Sequence, residues 1–260
     1  MQKPPFHSKP KFSGKVSAAV LLVETRLASS PKEASALIYA GKVLANEQRV
    51  EKPGQLLAPQ VKLRVKGTHP SFVSRGGIKL HAAIKELGLT EKFRDKVVLD
   101  TGASTGGFTD CVLQLGARAV LALDVGTNQL AWSLRSHPRV TALENTDIRE
   151  WDPQKFPPLD WIIADISFNS LAKLAPAFTH ACSKTTECLL LVKPQFELPY
   201  EKVPQGGIVT EARLWQEAVT SVVEAFRNLG AHDFLHVKSS LTGREGNQEF
   251  FLYFNLDPHS

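Results

Sequence analysis

A chain of 260 residues with 43% hydrophobic content can bury one large core and a small second one. Its charge is uneven: residues 1–66 hold nine Lys and three Arg against four Glu and no Asp, a net +8, so the other 194 residues carry −3. The basic end reads as a polyanion-binding surface, with an ordinary solvated face as the alternative. Cys111, Cys182 and Cys188 lack the paired spacings of a disulfide framework or a zinc site and read as buried thiols in a reducing cytosol.

Residues 1–15 form a basic, proline-punctuated tail, with no apolar stretch long enough for a secretory signal. No apolar run approaches the roughly 20 residues of a membrane span, so the expected setting is cytoplasmic. Residues 16–66 pattern as a small module. A helix covers 18–24, and Ser30-Pro31 opens a second one that stops at Gly41. Strands follow at 42–45, 48–50 and 61–65, with turns at Asn46-Glu47 and Pro53-Gly54. The stretch SSPKEASALIYAGKVLANEQRV resembles the RNA-binding module named after small-subunit ribosomal protein four, and the resemblance implies that Lys32, Lys42 and Arg49 face structured RNA. Pro31 stands where that family commonly has Arg. The plainer alternative is a helical fragment with a charged face.

After a linker at 67–77 the pattern changes. A helix at 78–87 buries Leu80, Ile84 and Leu87, and Lys79 projects away from that stripe. Strands are expected at 97–101, 119–124, 140–143, 161–165, 188–193, 234–238 and 249–254, mostly short apolar runs of the kind found in a sheet covered on both faces. Intervening segments such as 107–115 and 211–229 are long enough for crossover helices. A largely parallel, doubly wound α/β domain over 78–260 is the economical arrangement.

The first of these strands runs into VVLDTGASTGGFTD. Gly102, Gly106 and Gly107, with Ala103, Ser104 and Phe108 between and beyond them, permit a tight turn and close approach of a nucleotide-type ligand to a helix N-terminus. The spacing departs from G-x-G-x-x-G and places an acid, Asp100, at the strand end, which points from a pyrophosphate toward S-adenosylmethionine with its cationic ammonium and sulfonium. Asp124, followed by Val125, ends the second strand where an acid usually accepts from ribose hydroxyls, and Asp147 follows the third strand at a position suited to the adenine edge. Each of these acids alone is ordinary turn chemistry; it is their order and spacing that favour a cofactor site.

SRGGIKL, DTGASTGGFTD, ALDVG, ADISF, LVKPQFE, GGIV and TGREGNQEF, in this order behind the basic module, resemble the TlyA family of ribosomal RNA 2′-O-methyltransferases. The resemblance implies a Rossmann-like class I methyltransferase of the FtsJ type, with a seven-stranded sheet of order 3-2-1-4-5-7-6 whose seventh strand is antiparallel, and S-adenosylmethionine as methyl donor. It also implies a catalytic Lys-Asp-Lys-Glu tetrad, matched here by Lys79, Asp165, Lys193 and Glu249, with Asp165 also near the cofactor. In that topology all four residues reach one rim. Lys193 is the expected base for a ribose hydroxyl; as a general rule, burial and a second ammonium favour the neutral amine that such a base requires. The alternative for the four is two surface ion pairs. Arg75, Arg244 and the loop 194–207 are placed to bind RNA or to carry solvated loop charge. No His or Cys clustering indicates a metal. Three functions remain in view: a methyltransferase acting on ribosomal RNA or ribosomal subunits, an RNA-binding assembly factor without turnover, and a haemolysin, a label given to some members of the family.

Overall fold

The computed structural model describes residues 14–25, 27, 28, 30–65, 72–243 and 245–258, so most of the basic tail, part of the linker and Arg244 lie outside the described residues. The chain divides into two compact units, Met1–Ser71 and Phe72–Ser260.

In the first unit a short strand β1 (Val16–Ser17) leads into α1 (Ala18–Glu24). Ser30 caps α2 (Pro31–Tyr39): its hydroxyl accepts the Glu33 N–H at 3.2 Å, and Pro31 sits in the first turn, where a missing N–H is no loss. Strands β2 (Val43–Ala45) and β3 (Gln48–Arg49) form a hairpin around Asn46 and Glu47, both at positive φ, as a tight two-residue turn demands. Strand β4 (Leu56–Leu57) pairs with β1, and β5 (Leu63–Val65) pairs with β2. The β1–β4 pair, two residues a side, is too short to leave a pattern in the sequence. Ala18, Leu22, Ala34, Ile38, Val43 and Val65 close the core. Lys32, Lys42 and Arg49 are all exposed.

The second unit begins with α3 (Arg75–Glu86), which starts three residues earlier than the pattern predicts. Strand β6 (Val97–Thr101) is followed by α4 (Gly107–Gln114), β7 (Ala119–Asp124), the short α5 (Trp132–Arg135) and β8 (Val140–Glu144). Then come β9 (Trp161–Ala164), α6 (Leu171–Ala181), β10 (Thr186–Val192), the one-turn α7 (Pro194–Glu197), α8 (Ala212–Arg227), β11 (Ala231–Lys238) and β12 (Phe250–Leu256). The sheet runs β8-β7-β6-β9-β10-β12-β11, which is the expected 3-2-1-4-5-7-6. Six strands run in one direction, and β12, antiparallel to both β10 and β11, is reversed.

Alternation along the strands feeds two cores, one on each face. Val97, Leu99, Leu190 and Phe254 meet Leu174 and Phe178 of α6 and Val222 and Phe226 of α8. Val98, Ile163, Leu189 and Phe251 meet Leu80 and Ile84 of α3 and Phe108 and Val112 of α4. The three cysteines are buried free thiols. Among the described residues no helix is long and apolar enough to cross a membrane.

Candidate active site

Parallel strands end on one rim, so the residues that follow β6, β9 and β10 meet there. After β6 the loop bends sharply, with Gly102, Ser104 and Gly106 at φ of 78°, 49° and 96°. A Cβ on Gly102 would lie 2.8 Å from the Asp165 carbonyl oxygen, so glycine is what lets this loop pass the end of β9. Asp165 follows β9 and Lys193 follows β10. Because Val192 of β10 pairs with Phe250 of the reversed β12, Glu249 stands beside Lys193.

The four charged side chains form two ion pairs. Lys193 Nζ lies 2.7 Å from Asp165 Oδ1, and Lys79 Nζ lies 2.5 Å from Glu249 Oε2. Lys79, Lys193 and Glu249 are 8%, 7% and 3% exposed and Asp165 is half-buried, which separates these pairs from ordinary surface bridges. Lys79 leaves the buried stripe of α3, as its position predicts, yet it ends in a cleft and not in solvent. Buried pairs are costly to break, because the partner left behind is an uncompensated charge.

Both pairs face one cavity of about 500 Å³, a size suited to a small ligand. Gly102, Ala103, Ser104, Gly107 and Phe108 of the glycine loop line it, together with Arg75, Lys79, Asp165, Lys193 and Glu249. Gly106 is buried within the turn, where its N–H donates to Ala103 O at 2.7 Å. Asp100, Asp124, Val125 and Asp147 lie outside the lining. Asp100 is fully buried; Thr109 Oγ1 donates to its Oδ2 at 2.5 Å, and its Oδ1 has no partner among the described residues. Burial, aided by the neighbouring Asp165 charge, raises its pKa to about 7 against the opposing Thr109 bond. Asp124 accepts the Ser104 and Gly126 N–H groups, each at 2.7 Å, and so ties the glycine loop to the turn after β7. Asp147 accepts from the Arg149 side chain and backbone, and that hydrogen bonding holds its carboxyl below the usual range. Val125 is exposed. Lys32, Lys42 and Arg49 belong to the other unit, and Arg244 is outside the described residues.

Ser167, Phe168 and Asn247 line the cavity without a strand-end signature and escape the sequence reading, which takes Gln195, Phe196 and Glu197 only as part of the loop 194–207 placed to bind RNA. Ser167 accepts a hydrogen bond from Lys193 Nζ at 2.8 Å. Gln195 and Phe196 line the wall beyond Lys193, and Phe168, 89% exposed at φ 66°, packs on Phe196 with ring centroids 5.4 Å apart. Glu197 accepts from Ser170 Oγ and from the Leu171 and Ala172 N–H groups, so the segment carrying Lys193 is fastened to the start of α6. Asn247 bridges Val209 N–H and Gly207 O, both at 2.8 Å, and thereby joins GGIV to the approach to Glu249. The motifs quoted above contain these residues; their partners, distant in sequence, give them their roles.

Residues 72–256 match the family model described as FtsJ-like methyltransferase. The chain is 40% identical, over 89% of its length and 87% of the relative's, to the 16S/23S rRNA (cytidine-2′-O)-methyltransferase TlyA of Mycobacterium tuberculosis. It is 33% identical, over 86% of its length and 93% of the relative's, to Hemolysin A of Brachyspira hyodysenteriae. A solved structure described as a hemolysin, from Streptococcus thermophilus, superposes with a TM-score of 0.69 at 34% identity, covering 95% of this chain and 90% of that one. A sheet of matching order, a buried and a half-buried Lys–carboxylate pair on its carboxyl rim and these likenesses agree: the chain belongs to the FtsJ-like methyltransferases and, within them, to the TlyA family.

Proposed function

We propose that the chain is an S-adenosylmethionine-dependent methyltransferase acting on a ribose 2′-hydroxyl of ribosomal RNA, within structured RNA or ribosomal subunits in the cytoplasm. The observation that carries this reading is the convergence of Lys193–Asp165 and Lys79–Glu249 on the cavity lined by the glycine loop. The name of the Mycobacterium tuberculosis relative supports it.

The residues present fit the methyl donor. Asp165 puts a carboxylate on the cavity wall, the negative charge that an ammonium and a sulfonium call for, and Asp100 at the strand end before the glycine loop keeps a buried oxygen without a partner among the described residues. Asp100, Gly102, Ala103, Ser104, Gly106, Gly107, Phe108, Asp124, Val125, Asp147 and Asp165 are the residues assigned to hold it. When bound, S-adenosylmethionine supplies an electrophilic methyl group. Lys193 Nζ, in its amine form, takes the proton of the substrate hydroxyl. Asp165 orients that amine, while Glu249 holds the Lys79 ammonium within the cavity wall.

The test is transfer of label from S-adenosylmethionine to purified ribosomal subunits. Lys193→Ala is expected to lower transfer by about 10²–10⁴-fold while cofactor affinity stays near wild type. Retained transfer by that variant would remove Lys193 from the role of base. Subunit binding with no methyl incorporation by the wild-type chain would favour an assembly factor instead.

A further inference from the structure

We propose that Ser167 is a positioning residue that aims the lone pair of Lys193 into the cavity. The proposal rests on Lys193 being the base. A lysine nitrogen has four tetrahedral directions, one of them taken by Cε. Asp165 Oδ1 at 2.7 Å takes a second. With that contact alone, the neutral amine has two ways to place its remaining hydrogen and its lone pair, and one of them points a hydrogen at the incoming hydroxyl. Ser167 Oγ, 2.8 Å from Lys193 Nζ, accepts that second hydrogen and removes the choice. The last direction is left to the lone pair, and the cavity is where the nitrogen is open, since Lys193, Asp165 and Ser167 all line it.

The other lysine lacks this arrangement. Among the described residues Lys79 Nζ has a single hydrogen-bond partner, Glu249 Oε2. One carboxylate suits a retained ammonium; a carboxylate and a hydroxyl set at the two hydrogen positions suit an amine that must present its third direction. Ser167 therefore separates the roles of two residues that composition alone makes equivalent. Its place is built by the turn: Asp165 follows β9, and Phe168, at a positive φ uncommon for a bulky residue, packs on Phe196 three residues beyond Lys193. The two segments that carry donor and acceptor are thus held against each other.

The experiment measures steady-state methyl transfer from S-adenosylmethionine to purified ribosomal subunits by the full-length chain, for wild type, Ser167→Ala, Ser167→Thr and Lys193→Ala. Misdirection of a reacting group costs rate, so Ser167→Ala is expected to lower kcat about tenfold, with KM for subunits and affinity for the cofactor within twofold of wild type. Ser167→Thr keeps the hydroxyl and restores kcat to within about threefold of wild type. A wild-type kcat for Ser167→Ala, a change confined to KM, or a threonine variant as slow as alanine would overturn the proposal. Lys193→Ala keeps the two readings apart: if it still transfers methyl, the assignment of the base fails; if it is inactive while Ser167→Ala is unimpaired, only the positioning role fails.

Discussion

Asp100 sits fully buried at the end of β6 with one carboxylate oxygen bonded to Thr109 and the other to nothing among the described residues. Its pKa rises from 3.8 to about 7 because burial disfavours the charge. Below pH 3.8 the group is protonated whether the chain is folded or not, and it imposes no penalty. Between 3.8 and about 7 the unfolded chain releases the proton and the folded chain keeps it, so stability falls as pH rises through that window, by on the order of 4 kcal/mol in total. Asp100→Asn keeps an oxygen for Thr109 and removes the titration. Thermal melts from pH 4 to 7 are expected to show a flatter profile for the variant and a higher midpoint at pH 7, alongside weaker cofactor binding. A variant profile as steep as the wild type's would assign the pH dependence to other groups. The sequence identifies Asp100 as an acid at a strand end; it does not show that Thr109, nine residues away, comes back to cover one oxygen and leave the other bare.

At the scale of elements, the glycines of SRGGIKL read as linker in sequence and turn out to be helix. Gly77 lies in the first turn of α3, where an added Cβ would stand 2.5 Å from Phe72 Cβ and 2.7 Å from the Gly107 carbonyl oxygen. Glycine there serves the close approach of α3 to the start of α4, and Lys79 is two residues further along the same helix. Gly77→Ala therefore has to push α3 outward, destabilising the fold by about 1–3 kcal/mol and drawing Lys79 away from Glu249. Chemical denaturation and kcat, measured together, are expected to fall together; a variant with normal stability and normal kcat would show that the helix contact tolerates the methyl. Strand ends were readable because apolar runs stop abruptly at Asp165 and Lys193, whereas the reversal of β12, which brings Glu249 to their side, followed from family resemblance. Helix α6 was not marked in the sequence: Pro176 interrupts its pattern, yet burial of Leu171, Leu174, Ala175 and Phe178 overrides the local preference.

For the whole molecule the decisive asymmetry is charge. Residues 1–66 carry +8 and the remainder −3, so long-range attraction for a polyanion comes from the unit that holds none of the four catalytic candidates. Within the catalytic unit many cations are already engaged: Arg135 with Glu144, Arg149 with Asp147, Lys202 with Glu217 and Arg213 with Glu211. In the first unit Lys32, Lys42 and Arg49 are exposed. Each cation that neutralises a phosphate releases counterions and steepens the salt dependence of binding by somewhat less than one unit of slope. Replacing Lys32, Lys42 and Arg49 together with Gln is therefore expected to weaken RNA binding at moderate salt and to lower the slope of log K against log salt by about 2. Methyl transfer at saturating RNA is expected to keep its wild-type kcat, since the variant leaves the cavity on the sheet rim untouched. An unchanged salt slope would show that these three side chains do not meet RNA phosphates, and a fall in kcat at saturation would show that the first unit does more than raise the local concentration of substrate.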